Sequence, residues 1–322
     1  MSGRSVANFP RNTKKKKQVI FLVGPTAVGK SRIAVSLAKK INAQIISCDS
    51  MQVYKGMNII TSKPDSKMLK AVKHYLVGTV PMDKEFNVSS YRKEALRALR
   101  KIIAADKIPL FVGGTGLYVS ILIDGIFRVK AHNELLRKKL YSQAERLGSP
   151  VLHKKLQAVD PAAASKIHPN DARRIIRALE VFKLTGKPIS ELQKQRRGLI
   201  NEYDVRVFCL NIPRQELYNA INKRVDNMFK KGLVIEANRL LKKKISKTAS
   251  YAIGLGELKG YISGEYDLSH AKELIKHNTR LYAKRQLTWF RKDKRIEWMD
   301  IYGETAGQSV KNLIHRIQGG KA

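Results

Sequence analysis

The residues with the plainest chemical purpose lie near the start of the chain, in Gly24-Pro25-Thr26-Ala27-Val28-Gly29-Lys30-Ser31. Two glycines five positions apart, followed by a lysine and a hydroxyl, form the G-x-x-x-x-G-K-[ST] pattern of a phosphate-cradling loop. In such a loop, backbone N–H groups and a helix N-terminus surround phosphate oxygens, the lysine adds a point charge, and the hydroxyl can ligate Mg²⁺. Lys30 and Ser31 fill the last two roles here. The pattern suits a diphosphate or a triphosphate and is silent on whether a phosphoryl group moves. A kinase would want an apolar strand ending in an acid to help hold Mg²⁺. The run "IPLFVGG" (108–114) ends in glycines instead, but "AQIISCDS" delivers Asp49 at a strand end, so a kinase with Asp49 as its base stays open.

These residues need elements to bring them together. "QVIFLV" (18–23) is a short apolar, β-branched run that suits a buried parallel strand, and Ile33, Ala34, Leu37, Ala38 and Ile41 recur after the loop at helical spacing. "AQIISCD" reads as a second strand, "RKEALRALRKIIAAD" (92–106) as an amphipathic helix, "IPLFVGG" as a third strand and "DVRVFCLNI" (204–212) as a later one. Strands alternating with helices predict a P-loop NTPase-like α/β fold, a doubly wound parallel sheet that binds ligands at the carboxyl ends of its strands. Gly24, Asp49 and Gly113 all fall at such ends and are expected to face one crevice.

From about residue 130 the pattern becomes helical pieces punctuated by Pro and Gly. The chain therefore divides into a disordered basic tail (1–17), an α/β core (18–128 and 201–315) and a helical insertion domain (129–200). Tyr282, Gln286, Trp289 and Phe290 sit at i, i+4, i+7 and i+8, which favours helix packing in a core over contact with bases.

Composition narrows the partners. The chain has 63 Lys+Arg against 26 Asp+Glu, a net charge of +37. A field of that sign attracts polyanions, nucleic acid first among them. Cys48 and Cys209 are too few and too far apart for a disulfide framework or a zinc cluster, and both lie in apolar runs that predict buried free thiols. No stretch approaches 18 consecutive apolar residues and the N-terminus lacks an apolar signal region, so a cytoplasmic protein is expected. No heptad pattern is legible, and a monomer is expected.

Five blocks carry a wider resemblance: GPTAVGKS, then "DSMQVYKGMNIITSKP" (49–64), "VGGTGLYV" (112–119), "IHPNDARRIIRALEVF" (167–182) and "TRLYAKRQLTWFRKD" (279–293). In this order they resemble the bacterial tRNA dimethylallyltransferases, over about residues 18–300. The resemblance implies transfer of a dimethylallyl group from dimethylallyl diphosphate to N6 of the adenosine 3′ of the anticodon (position 37) in tRNA. The loop from Gly24 to Ser31 would then hold the leaving diphosphate, with Mg²⁺ at Ser31, and no phosphoryl group would move. By the same resemblance Asp49 is the general base at the adenine amine, Thr115 lies near the reacting centre, and Arg224 reaches the diphosphate from the far side. Asp49, Ser50, Met51, Gln52 and Thr115 match RNA-contacting positions, as do Arg137 and the run Arg173, Arg174, Ile175, Ile176 and Arg177. Gln52 carries an amide able to read an adenine edge, and Arg173, Arg174 and Arg177 recur as one basic ridge suited to phosphates.

The chain also departs from the family's habit. "KHYLVGT" has Tyr75 where a second histidine is usual, "GMNII" replaces a more glycine-rich run, and Leu255 and Gly256 stand where an aromatic and a basic residue are usual. The last departure bears on RNA selection. The nearest rival readings are a P-loop kinase, an isopentenyltransferase acting on free adenine nucleotides, and an RNA-stimulated NTPase.

Overall fold

Six extended runs pair into one sheet because none of them can satisfy its backbone alone. In the computed structural model, which describes residues 16–127 and 133–319, they are β1 (Gln18–Val23), β2 (Ala43–Cys48), β3 (His74–Tyr75), β4 (Ile108–Gly113), β5 (Asp204–Asn211) and β6 (Ile296–Asp300). All pairings are parallel, and the order is β3-β2-β4-β1-β5-β6. The two-residue β3 and the late β6 were not legible as strands in the sequence. Residues 1–15 of the expected basic tail lie outside the described residues, as does the expected boundary at 128/129.

The register decides what can meet. Val23 of β1 lies opposite Gly113 of β4 and Cys209 of β5, and Cys48 of β2 lies opposite Gly113. β1, β4 and β2 therefore end level, with β5 running two residues further, and the residues that follow the three, Gly24, Gly114 and Asp49, emerge along one edge. Both sheet faces are covered, as parallel strands require. On one face Ile20, Leu22, Phe208 and Leu210 pack against Ile33 and Leu37 of helix α1 (Lys30–Lys40). Phe21 and Phe111 stack with ring centroids 4.6 Å apart and are themselves fully buried. Helix α2 (Val88–Ala104), capped by the Asn87 side chain, buries Tyr91, Leu99 and Ile102.

Two compact units are present. Of the described residues, those up to Ser120 and from Glu202 onward form the α/β unit, and those within Ile121–Asn201 form a helical one. In the helical unit, α3 (Ala172–Thr185) starts at an Asp171 cap and stops at Gly186, whose φ of 68° is the left-handed turn that ends helices. Its buried face, with Ile175, Ile176 and Leu179, packs with Leu152 and Leu156 into that unit's own core. Among the described residues, no helix is long and apolar enough to cross a membrane.

Candidate active site

The loop from Gly24 to Ser31 owes its shape to its backbone. Gly24 has φ +141°, and a Cβ there would sit 2.7 Å from the Leu210 carbonyl oxygen of β5. Gly29, at φ 96°, turns the chain into α1 so that the helix begins at Lys30. The helix N-terminus thus points into a cavity of about 950 Å³, lined among others by Thr26, Lys30, Ser31, Asp49, Gln52 and Arg224. Lys30 Nζ donates to the Pro25 carbonyl at 2.5 Å. Burial, then the nearby Arg224 charge, pushes the Lys30 ammonium down to about 8.

Asp49 follows β2 directly. Its Oδ1 accepts the N–H groups of Met51 at 2.9 Å and Gln52 at 3.2 Å, so one carboxylate oxygen caps the turn that follows. Thr115 follows β4 and is tied to the same turn: its N–H donates to the Cys48 carbonyl, and its Oγ1 accepts the Ser50 N–H, each at 3.1 Å. Asp49 and Thr115 are therefore held by knitted loops at the ends of paired strands. Ser50 and Met51 are half-buried in that turn. The Gln52 amide is directed inward, donating at 3.4 Å to the carbonyls of Thr61 and Ser62.

The turn from Asn58 to Ser62 has its own anchor. Glu236, on helix α5 (Leu233–Leu241), is 6% exposed and accepts the N–H groups of Asn58, Ile59 and Ile60 at 2.9–3.1 Å. That turn presents Ser62, and Ser62 Oγ accepts Arg224 Nε at 2.9 Å. Arg224 comes from helix α4 (Arg214–Lys230), and its Nη1 donates to Thr26 Oγ1 at 2.5 Å. The guanidinium is thus fixed against the phosphate loop rather than solvated on a helix face. Burial lowers its pKa from the ordinary value, and the Asp49 charge opposes that shift.

Sequence reasoning missed the contribution of helix α6 (Leu268–Phe290). Phe290 and Gln286 are buried, as core packing predicts, but Tyr282 is only half-buried and Trp289 is 36% exposed. Tyr282 neighbours Thr115 and Gln286: burial, then the Asp49 charge, pushes its hydroxyl up to about 12. Trp289 Nε1 donates to Ser120 Oγ at 3.2 Å. Gly114 and Gly116 of "GGTG" serve this packing, and Gly113 the close approach of β2. A Cβ on Gly113 would lie 2.2 Å from the Cys48 carbonyl oxygen, on Gly114 2.0 Å from Gln286 Nε2, and on Gly116 2.3 Å from Trp289 Cδ1. The sequence signals were the family-like block 279–293, which assigns no contact to any one residue, and the spacing of Tyr282, Gln286 and Trp289 on one helix face.

Beneath Asp49, Cys48 Sγ and Tyr91 OH lie 2.8 Å apart, and Tyr91 stacks on Tyr118. Cys48 and Cys209 are both buried free thiols, each pushed up to about 12, chiefly by burial.

In the helical unit the expected RNA-contacting run separates into two groups. Ile175 and Ile176 are 0% and 1% exposed and fill that unit's core, so their side chains cannot meet RNA and the expectation for them is corrected. Arg173 and Arg174 are exposed, with Arg174 3.3 Å from Asp171. Arg137 and Arg177 each lie 2.8 Å from Oε2 of Glu180, whose side chain is fully buried. Burial raises the Glu180 pKa, but hydrogen bonds from Arg137, Arg177 and the Asn133 amide outweigh it and hold the carboxyl below its ordinary range.

Residues 52–293 match the family described as IPP transferase. A tRNA dimethylallyltransferase of Natranaerobius thermophilus is 44% identical over 319 residues, covering 98% of this chain and 96% of that one. One of Geobacter sulfurreducens is 44% identical over 287 residues, covering 88% and 92%. Among solved structures, the tRNA isopentenylpyrophosphate transferase of Bacillus halodurans superposes with TM-score 0.71 at 37% identity, covering 95% of this chain and 96% of that one. A eukaryotic dimethylallyltransferase acting on tRNA gives TM-score 0.78 at 28% identity, covering 95% and 80%.

Proposed function

The chain belongs to the IPP transferase family, and from that premise we propose that it transfers a dimethylallyl group from dimethylallyl diphosphate to N6 of the adenosine 3′ of the anticodon (position 37) in tRNA. The observation that carries the reading is that a phosphate loop and an aspartate, Asp49, open on one cavity from level strand ends. In the reaction the allylic C1–O bond breaks and its electron pair leaves with the diphosphate. The N6 lone pair forms the new C1–N bond, and the N6 proton passes to the Asp49 carboxylate. Charge builds on the departing diphosphate, where the loop amides, Lys30 and Arg224 supply fixed positive groups from two sides. Asp49 Oδ1 is engaged by two backbone amides, which orients the carboxylate toward its task.

Ser31 lies in the first turn of α1 beside Lys30 and lines the cavity. A hydroxyl next to phosphate oxygens fits Mg²⁺, which takes one or two protein ligands and completes its shell from phosphates and water. We assign Ser31 as that ligand. The ion would add Lewis-acid stabilisation of the leaving group.

The adenosine has to leave its stack to reach this cavity, so backbone contacts elsewhere must offset the cost of extrusion. We assign that task to the basic surface of residues 129–200, above all the exposed Arg173 and Arg174, and the acceptor-side turn to Ser50, Met51 and Gln52. A monomeric, cytoplasmic enzyme fits this reading.

Incubation with labelled dimethylallyl diphosphate, ATP, AMP and tRNA tests it. Label from the prenyl donor should appear in tRNA alone. Phosphate transfer from ATP, or prenylation of AMP in preference to tRNA, would refute it.

A further inference from the structure

Gln286 is a buried polar residue, 5% exposed, and the two ends of its amide reach different loops. Oε1 accepts the Thr26 N–H at 2.9 Å, and Nε2 donates to the Gly114 carbonyl at 2.9 Å. Thr26 lies in the phosphate loop beyond β1, and Gly114 begins the loop beyond β4 that carries Thr115. The ladder between β1 and β4 ends at Val23 and Gly113, so no strand pairing holds these two loops together. Gln286 spans that gap, and Gly114 is the residue that leaves room for it.

The contact continues beyond Thr26. The Thr26 hydroxyl accepts from Arg224, whose Nε is held by Ser62. We propose that Gln286 is a positioning residue that clamps the leaving-group loop to the acceptor loop and, through Thr26, sets where Arg224 meets the diphosphate. The proposal rests on the dimethylallyl-transfer reading. A neutral amide is suited to this place because it accepts and donates at once, whereas a carboxylate cannot donate and an ammonium cannot accept. The clamp also withdraws the Thr26 N–H from the phosphate cradle, leaving that work to the other loop amides.

The test uses Gln286→Met, which keeps volume and removes both hydrogen bonds, in the full chain. Misplacing a catalytic group by about an ångström costs on the order of 10²-fold in rate. The variant should lose roughly that factor in single-turnover transfer and bind inorganic diphosphate more weakly by calorimetry. Its KM for tRNA should stay within about twofold of wild type, because Gln286 itself is assigned no tRNA contact and Thr115 keeps its own ties to Cys48 and Ser50. In an Arg224→Ala background the same substitution should cost under about 10-fold, since the route through Thr26 to Arg224 is already gone. A full additive loss in that background would overturn the route through Thr26 to Arg224, and unchanged transfer and diphosphate binding would overturn the clamp itself. Should the methionine variant unfold, Gly114→Ala displaces the same amide and must reproduce the split between turnover and tRNA KM. If the wild type binds diphosphate yet prenylates no tRNA, the transfer reading fails while diphosphate binding still judges the clamp.

Discussion

Asp49 has one observed task and one proposed, and they can be separated. Its Oδ1 caps the following turn through Met51 and Gln52, and its carboxylate is assigned as the base. Asn offers the same Oδ1 to the same amides but cannot take a proton at neutral pH. Asp49→Asn should therefore keep the fold, with a stability change within about 0.5 kcal/mol, and lose about 10²–10⁴ in the chemical step, the usual worth of a general base. Asp49→Ala should show the same chemical loss plus about 1 kcal/mol of instability from the missing cap. Urea denaturation reads the stability difference. Single-turnover transfer at saturating tRNA and dimethylallyl diphosphate reads the chemistry, and a filter-binding assay confirms that tRNA is still held. If Asp49→Asn transfers at more than about a tenth of the wild-type rate while Asp49→Ala does not, the residue is a cap and the base lies elsewhere.

Lys30→Ala should raise the KM for dimethylallyl diphosphate and slow the chemical step, since the leaving group loses a cation; normal steady-state kinetics would remove the loop from the reaction. Arg173→Ala should flatten the slope of log tRNA affinity against log salt by about 0.7–0.9 with unchanged stability. Arg177→Ala should instead cost about 1–3 kcal/mol in denaturant unfolding, because the buried Glu180 carboxylate loses a partner; equal behaviour of the two variants would undo this division of the ridge. Glu236→Ala leaves the amides of Asn58, Ile59 and Ile60 without their acceptor and should destabilise the protein by about 2–4 kcal/mol while loosening the Ser62 support of Arg224. A urea midpoint and diphosphate affinity both equal to wild type would show that the turn holds itself.

The phosphate loop was legible because its residue types follow from a local backbone requirement: Gly29 sits at a positive φ and Lys30 opens a helix. The strands that frame it were legible because they are buried on both faces and read as unbroken apolar runs. β6, "IEWMD", was not, since two of its five residues are acidic and its strand character comes from pairing with Val207–Asn211 of β5. Gln286 was visible as a helix position within the block 279–293, with no sign of what it touches. Its partner in the phosphate loop lies 260 residues away, and periodicity is blind to contacts at that distance. Ile175 and Ile176 show the opposite error. A contiguous motif drew them in with their arginine neighbours, although the helical period turns them inward to the core.

The position of β1 in the middle of the sheet bears on how the chain is made. Its neighbour β5 begins at Asp204, after the whole helical unit, so one edge of β1 waits unpaired while about 180 further residues are synthesised. At typical elongation rates of about 5–20 residues per second, that wait lasts roughly 10–40 s. The helical unit is continuous in sequence, and its core draws on residues within about 70 positions of one another, so it can close early, as low-contact-order topologies do. The α/β unit cannot complete the floor of its own phosphate loop, where Gly24 meets Leu210, until after that. The nascent chain therefore carries a finished helical unit ahead of an apolar strand edge that is open to wrong partners, and this interval is where a chaperone would be needed most.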